Sequence, residues 1–426
     1  MKRFFTLFIT IFSLFSGVVY GQQSYKGNLV IVGGGLEADN KSIYQQLIGF
    51  AGGADKATFA IIPSAGGVPM QSYVSFRNIL ISYGVKPDHI HLIPIAVIDD
   101  DSTLNVNESE WKNNGNDTTL AELVRKCSAV WFTGGDQLRT TKSLIRPDGS
   151  QTPVLKAVWD VYRAGGVLGG TSAGAAIMSE VMIGGGNSLA ALNHGVIMDY
   201  KGDDFPEDQG VLVTYGLGFF PLGLIDQHFN TRARIARTIV ALMNENRGDH
   251  LGFGVDENTA LIYNGQQNRI SVAGASAVTI LNSSEAKITY VNNMPVIENL
   301  LISYLENGDS WDAQTGIITP AEGKQSMRGA KNHREPYSGQ TGVLSGSQDT
   351  FRNLLLALQY SNDKESLQNI NFTSDTTGFL VKLYKTPLSE GFSFEKPNQG
   401  HGYTIAKIRM DITPVHVSVT PMNNKY

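Results

Sequence analysis

The chain has 426 residues, enough for two or three domains at roughly 100–200 residues each, and its 42% hydrophobic and 17% charged composition lets it bury a core without disulfides or metals. A net charge of −5 argues against a dedicated nucleic-acid binder. The single cysteine, Cys127, excludes an intrachain disulfide and, entering the apolar run that ends at Trp131, reads as a buried structural thiol.

At the start of the chain, Lys2 and Arg3 precede an apolar run from Phe4 to Phe15, and Val19-Tyr20-Gly21 follows at a cleavage position. This pattern reads as a secretory signal peptide over residues 1–21. The run is too short to favour a membrane anchor, and no later stretch has the ~18 apolar residues of a spanning helix. The expectation is a secreted or periplasmic protein with no membrane span after cleavage.

From Asn28 to about Tyr263, apolar runs alternate with amphipathic ones. Strands are expected at Leu29 to Val32, Ala57 to Pro63, His89 to Pro94, Ala129 to Thr133 and Gly166 to Gly169. Helices are expected at Ser42 to Phe50, Gln71 to Tyr83, Leu120 to Cys127 and Val154 to Arg163. Such alternation, with glycine-rich strand ends, predicts an α/β fold with a mostly parallel sheet flanked by helices. Sites then form at the carboxyl ends of the strands.

Beyond Gly254 the texture changes to strands at Val255 to Tyr263, Arg269 to Leu281 and Lys287 to Asn292, with Leu300 to Asn307 as ordered core. A polar stretch from Pro320 to Gln348 reads as a linker or long loop. A helix (Thr350 to Tyr360) and two strands (Thr377 to Tyr384, Tyr403 to Val419) follow, forming a small C-terminal α+β appendage. The resulting division is 1–21 signal peptide, 22–319 catalytic domain and 320–426 linker and appendage.

Gly170-Thr171-Ser172-Ala173-Gly174 fits G-x-S-x-G, preceded by a strand-like Val167-Leu168 and followed by a segment able to form a helix. A sharp strand-to-helix turn would expose Ser172 as a nucleophile at a helix amino terminus. The alternative is a tight structural turn. Thr133-Gly134-Gly135-Asp136 ends another strand; the N–H groups of Gly135 and Ala173 are candidate oxyanion donors, against a plain βα turn. A serine needs a base. Of eight histidines, His228 stands at the end of a short apolar run beside Asp226 and Gln227, whereas His194, His333 and His401 lie in loop-like stretches. A histidine at a strand end is more often structural, but these polar neighbours are unusual there. Arg232, Arg234 and Arg237 follow in a segment read as starting a helix, with Arg234 and Arg237 on one face. They read either as a carboxylate-binding cluster or as a solvated face with ion pairs. Gly33-Gly34-Gly35 lacks the full dinucleotide fingerprint, and no metal-ligand spacing is present, so no cofactor or metal is expected.

Together, Leu29 to Gly35, Phe132 to Gln137, Gly170 to Ala175, Asp226 to Phe229 with its trailing arginines, and Gly252 to Ala260 resemble the cyanophycinase family of serine exopeptidases over about residues 28–315. The resemblance implies a fold like that of class I glutamine amidotransferase domains, with Ser172 as nucleophile and His228 as base. It implies a substrate pocket using Gln137, Asp226, Gln227, Arg232, Arg234 and Arg237, with Asp136 or Asp226 available to a substrate guanidinium. The implied substrate is a peptide or polyamide: cyanophycin, an aspartate backbone bearing arginine on each side-chain carboxyl, or related β-aspartyl peptides, with release of β-Asp-Arg dipeptides. A homodimer is also implied. The family pattern places a glutamate about eighteen residues after the serine to orient the histidine; that position here is Ala190. Asp203, Asp204 and Glu207 are the candidate replacements.

Overall fold

The computed structural model describes residues 27–202, 205–244, 250–328, 342–345, 349–361, 364–394 and 402–418. The expected signal peptide lies outside the described residues.

Two sheets organise the chain. The nine-stranded sheet has five parallel strands on one side, in the order Asn28–Val32, Val167–Thr171, Ala129–Phe132, Phe59–Ile62, Ile90–Leu92. On its other side Thr259–Asn264, Arg269–Gly274, Ser310–Asp312 and Ile318–Thr319 continue it antiparallel. A second, 13-stranded sheet is largely antiparallel. The expectation of a mostly parallel sheet is therefore corrected: parallel pairing holds for the βα half, where helices serve as crossovers, and gives way to hairpins beyond residue 250.

The expected helices and strands of the first half form within a few residues of their expected limits. Local signals explain several ends. Thr152 caps Pro153–Arg163 by accepting from the Leu155 N–H at 3.3 Å, and Pro153 supplies the preset φ of the first turn. Asp117 caps Thr118–Arg125 through the Thr119 and Leu120 N–H groups. Strand residues alternate between two cores. Val30, Val32, Phe59 and Ile61 pack against the helices Lys41–Phe50 and Pro69–Ser82. Leu29, Ile31, Ala60 and Ile62 face a core shared with Pro153–Arg163 and with Phe253, Val255, Val278 and Ile280 of the second sheet. The far face of that sheet packs on Ile235–Leu242 and Thr350–Tyr360.

Two expected strands are each split between the sheets. Leu251–Val255 belongs to the second sheet and Thr259–Asn264 to the first, with Asp256, Glu257 and Asn258 crossing between them; Asn258, at φ 50, leaves the extended conformation there. Arg269–Gly274 and Ala277–Asn282 divide in the same way at Gly274, φ +122.

The residues after 320 do not form an appendage standing apart. Lys324–Ser326 is a strand paired with Glu390–Phe394, although part of the expected linker, 329–341 and 346–348, lies outside the described residues. Tyr403–His416 pairs along Met294–Glu306 and carries Thr377–Tyr384, so this region extends the second sheet. The seam is pinned by Lys324, whose Nζ lies 2.8 Å from Asp309 Oδ1 with both side chains fully buried. Thr404 also hydrogen-bonds to both. An edge left open at Met294–Glu306 would expose unpaired backbone groups; the added strands cover it.

Candidate active site

The strand Val167–Thr171 lies between Asn28–Val32 and Ala129–Phe132, and three turns leave the carboxyl ends of these strands side by side. Ser172 follows Thr171 with φ 55 and ψ −113, a conformation that L-residues rarely adopt. Its N–H is held by Val32 O at 3.0 Å, and its carbonyl accepts from Ala175 and Ala176, so the turn runs straight into the short helix Ala173–Ala176. The strain is therefore fixed from both sides.

His228 arrives from the second sheet, two residues after the strand Leu224–Asp226. Its N–H donates to Gly33 O at 2.6 Å and so joins the two sheets beside Ser172. Ser172 Oγ lies 2.8 Å from His228 Nε2. His228 Nδ1 lies 2.5 Å from Glu257 Oε1, on the crossing between the sheets. A carboxylate only accepts, so the imidazole proton sits on Nδ1 and leaves the Nε2 lone pair to accept from the serine hydroxyl. Burial holds the His228 pKa below its ordinary value, and Arg232 and Arg234 push the same way, while Glu257 opposes them. The ring is thus neutral and basic near pH 7.

Glycine makes this approach possible. Gly34 has φ +108, and a Cβ there would stand 2.2 Å from His228 Cε1. Gly135 has φ +140, and a Cβ there would stand 2.0 Å from Ala65 O. The adjoining Gly134 lies beside Ser172, since a Cβ there would meet Ser172 Cβ at 3.3 Å. Among the described residues, the N–H groups of Gly135 and Ala173 have no backbone acceptor, so they are available to an oxyanion near Ser172.

The acid beside the histidine is neither Ala190, which packs in the helix Ser188–His194, nor Glu207. Glu207 uses its carbonyl to accept from Asn187. Asp203 and Asp204 lie outside the described residues. Glu257 sits in the resembling segment Gly252 to Ala260, and the visible signal is a polar Asp-Glu-Asn triplet straight after an apolar strand. Its neighbours fix it: Asp256 is buried, and Asn258 donates to Gly34 O at 2.8 Å and to Glu37 Oε2 at 2.8 Å.

The expected pocket residues separate into two groups. Asp226 and Arg237, each 1% exposed, form a bidentate pair: Arg237 Nε donates to Oδ2 at 2.9 Å and Nη2 to Oδ1 at 2.5 Å. Thr238 Oγ1 adds a bond at 2.7 Å. Burial opposes ionisation of Asp226, but Arg237 first, then Arg234 and the Thr238 hydroxyl, together outweigh it and hold the carboxyl below the usual range. Arg234 Nη1 donates to Gln227 O at 2.7 Å and approaches Asp226 at 3.8 Å. Burial, then Arg237, lowers its pKa to about 9. Asp226 and Arg237 are therefore internal partners of one another and are not presented to a ligand. Asp136, the other candidate for a guanidinium, caps Gln137–Leu144 through the Leu138 N–H. Arg234 is the N-cap of the helix Ile235–Leu242 and turns to the same side as Arg237, since both guanidiniums face Asp226; the left-handed His228 and Ala233, φ 47 and 48, precede the helix. Arg232 is exposed. Gln137 donates to the carbonyls of Ile183 and Gly184, both at 2.9 Å. Gln227 is buried with its Oε1 unpartnered by protein.

A serine, a base and a carboxylate in hydrogen-bonded series equip the site for acyl transfer. The sequence profile described as Peptidase family S51 matches residues 29–271, and the chain is a serine peptidase. It belongs to peptidase family S51, the family of the cyanophycinases. A cyanophycinase of Geminocystis herdmanii (strain PCC 6308) is 31% identical over 303 residues, covering 69% of this chain and 96% of that protein. One from Synechococcus elongatus is 30% identical over 307 residues, covering 70% and 83%. One from Nostoc sp. is 30% identical over 308 residues, covering 70% and 90%. A solved peptidase from an acI-B1 Actinobacterium superposes with TM-score 0.45 at 21% identity, covering 69% of this chain and 100% of that one.

Proposed function

We propose that this protein is an exported serine exopeptidase that hydrolyses cyanophycin or related β-aspartyl peptides and releases β-Asp-Arg dipeptides. The carrying observation is the run Ser172 Oγ to His228 Nε2 to Glu257, at 2.8 and 2.5 Å, in a family S51 chain. The names of the relatives supply the substrate class.

In the proposed reaction Ser172 Oγ attacks the substrate carbonyl while its proton passes to His228 Nε2. Glu257 holds the ring and stabilises the imidazolium. The N–H groups of Gly135 and Ala173 receive the developing oxyanion. Collapse breaks the C–N bond as the leaving amine takes the proton from His228, leaving an acyl ester on Ser172. Water, deprotonated by His228, hydrolyses that ester and restores the serine. Gln137, Gln227, Arg232 and Arg234 remain the candidate contacts for substrate.

Purified protein incubated with cyanophycin is expected to release β-Asp-Arg, read by mass spectrometry, and Ser172→Ala to release none. No release by wild type, or undiminished release by the variant, refutes the assignment. A preference for another acidic peptide is a second reading, favoured by the engagement of Asp226 with Arg237, which withdraws that carboxylate from the guanidinium of an arginine-bearing substrate. Faster hydrolysis of α-linked Asp-Xaa than of β-linked Asp-Arg would establish it. Export rests on the pattern from Lys2 to Gly21 and predicts an extracytoplasmic product beginning near Gln22. Dimerisation is tested by light scattering.

A further inference from the structure

The region after residue 320 touches the catalytic turn through Asp349. This residue begins the helix Thr350–Tyr360 in a left-handed conformation, φ 63, and its side chain caps none of that helix's N–H groups. An aspartate at a helix start ordinarily accepts from the second or third helical N–H. Here Asp349 Oδ1 instead accepts from Asn230 Nδ2 at 3.0 Å, across 119 residues of chain.

Asn230 is 7% exposed and lies two residues after His228. Its own N–H donates to Asp256 Oδ1 at 3.0 Å, and Asp256 immediately precedes Glu257. One asparagine therefore joins the turn that carries the base, the crossing that carries the acid, and the C-terminal region. The turn needs such ties. His228 and Ala233, at φ 47 and 48, bracket it in a conformation that is unfavourable for a non-glycine residue and persists only where the surroundings impose it. His228 N–H to Gly33 O, Phe229 N–H to Val255 O and Asn230 N–H to Asp256 are ties from within the part matched by the family profile. The bond to Asp349 comes from outside that part.

We propose that Asp349 is a positioning residue for the peptidase reaction: through Asn230 it holds the turn that presents His228 to Ser172. The inference rests on the reading of Ser172 and His228 given above. It assigns the C-terminal region a role in setting the base, beyond covering a sheet edge.

The test is the rate at which a fluorophosphonate labels Ser172 in the full chain, which reads the serine–histidine pair without any peptide substrate. Wild type is labelled, and Asp349→Ala slows labelling about tenfold, as expected when a base is displaced from outside the site. Asp349→Asn keeps an acceptor oxygen and stays within about twofold of wild type. With a β-aspartyl peptide, Asp349→Ala lowers kcat and leaves KM nearly unchanged. If Asp349→Ala does not fold, Asp349→Glu, which shifts the carboxylate by one methylene, gives the same slowing. Wild-type labelling rates in the folded Ala or Glu variant, or an Asn variant as slow as Ala, overturn the positioning role alone. Wild type that is not labelled at Ser172 refutes the peptidase mechanism itself, and the positioning role falls with it.

Discussion

Replacing Glu257 by Gln removes one charge beside the base while nearly preserving shape. In wild type the carboxylate fixes the His228 proton on Nδ1 at 2.5 Å and steadies the imidazolium that forms during attack. A glutamine can turn its amide N–H toward Nδ1, which moves the ring proton to Nε2 and removes the lone pair that Ser172 needs. In a deeply buried triad the equivalent change costs about 10⁴ in kcat. Here the Glu257 side chain is 35% exposed, so water partly replaces its field, and a loss of about 10²–10³ in kcat is expected. The pH profile adds a signed test. Burial depresses the His228 pKa and Glu257 counteracts that depression, so removing Glu257 moves the acid limb of kcat/KM to lower pH. The assay is initial rate of β-aspartyl peptide hydrolysis from pH 4 to 9 for wild type and variant. A plateau within about threefold of wild type, or an acid limb that stays in place or moves to higher pH, refutes the role given to Glu257.

Gly34→Ala places a methyl carbon 2.2 Å from His228 Cε1 at a backbone φ of +108, so activity is expected to fall at least about 10²-fold while circular dichroism stays native; wild-type activity would show that the ring accommodates the methyl. Arg237→Ala strands the Asp226 carboxylate in the core and should cost about 3–5 kcal/mol in denaturant unfolding, and a loss under about 1 kcal/mol refutes the burial argument. In wild type the Asp226 pKa is depressed on folding, so the stability it contributes is present above its unfolded value of 3.8 and is lost as pH falls through the lower folded value; Arg237→Ala should flatten that acid slope. The Cys127 thiol is 6% exposed and pushed by burial up to about 12, so iodoacetamide should modify it only after unfolding; stoichiometric labelling of native protein at pH 8 would refute this.

Local pattern carries much of the fold. The helix Pro153–Arg163 shows in its cap, its proline and its apolar face, and Thr350–Tyr360 and Thr377–Tyr384 have the limits that their periodicity implies. The G-x-S-x-G turn and the histidine beside Asp226 are equally visible, because a strained strand end and an isolated polar run are local features. The strands Ser366–Phe372 and Glu390–Phe394 are not visible in this way. Their polar residues alternate too weakly to announce their pairings, the first with Thr377–Tyr384 and the second with Tyr403–His416 and Lys324–Ser326.

By itself the sequence determined the family, the strand-to-helix turn at Ser172 and the parallel half of the first sheet, since all three rest on short-range spacing of residue types. Tertiary structure alone decided that Glu257 faces His228, that Arg237 is committed to Asp226, and that Asp349 reaches Asn230 across 119 residues. Each of these is a contact between distant charged or polar groups. Such partners are chosen by which strand ends the two sheets bring together, a choice that no local periodicity records.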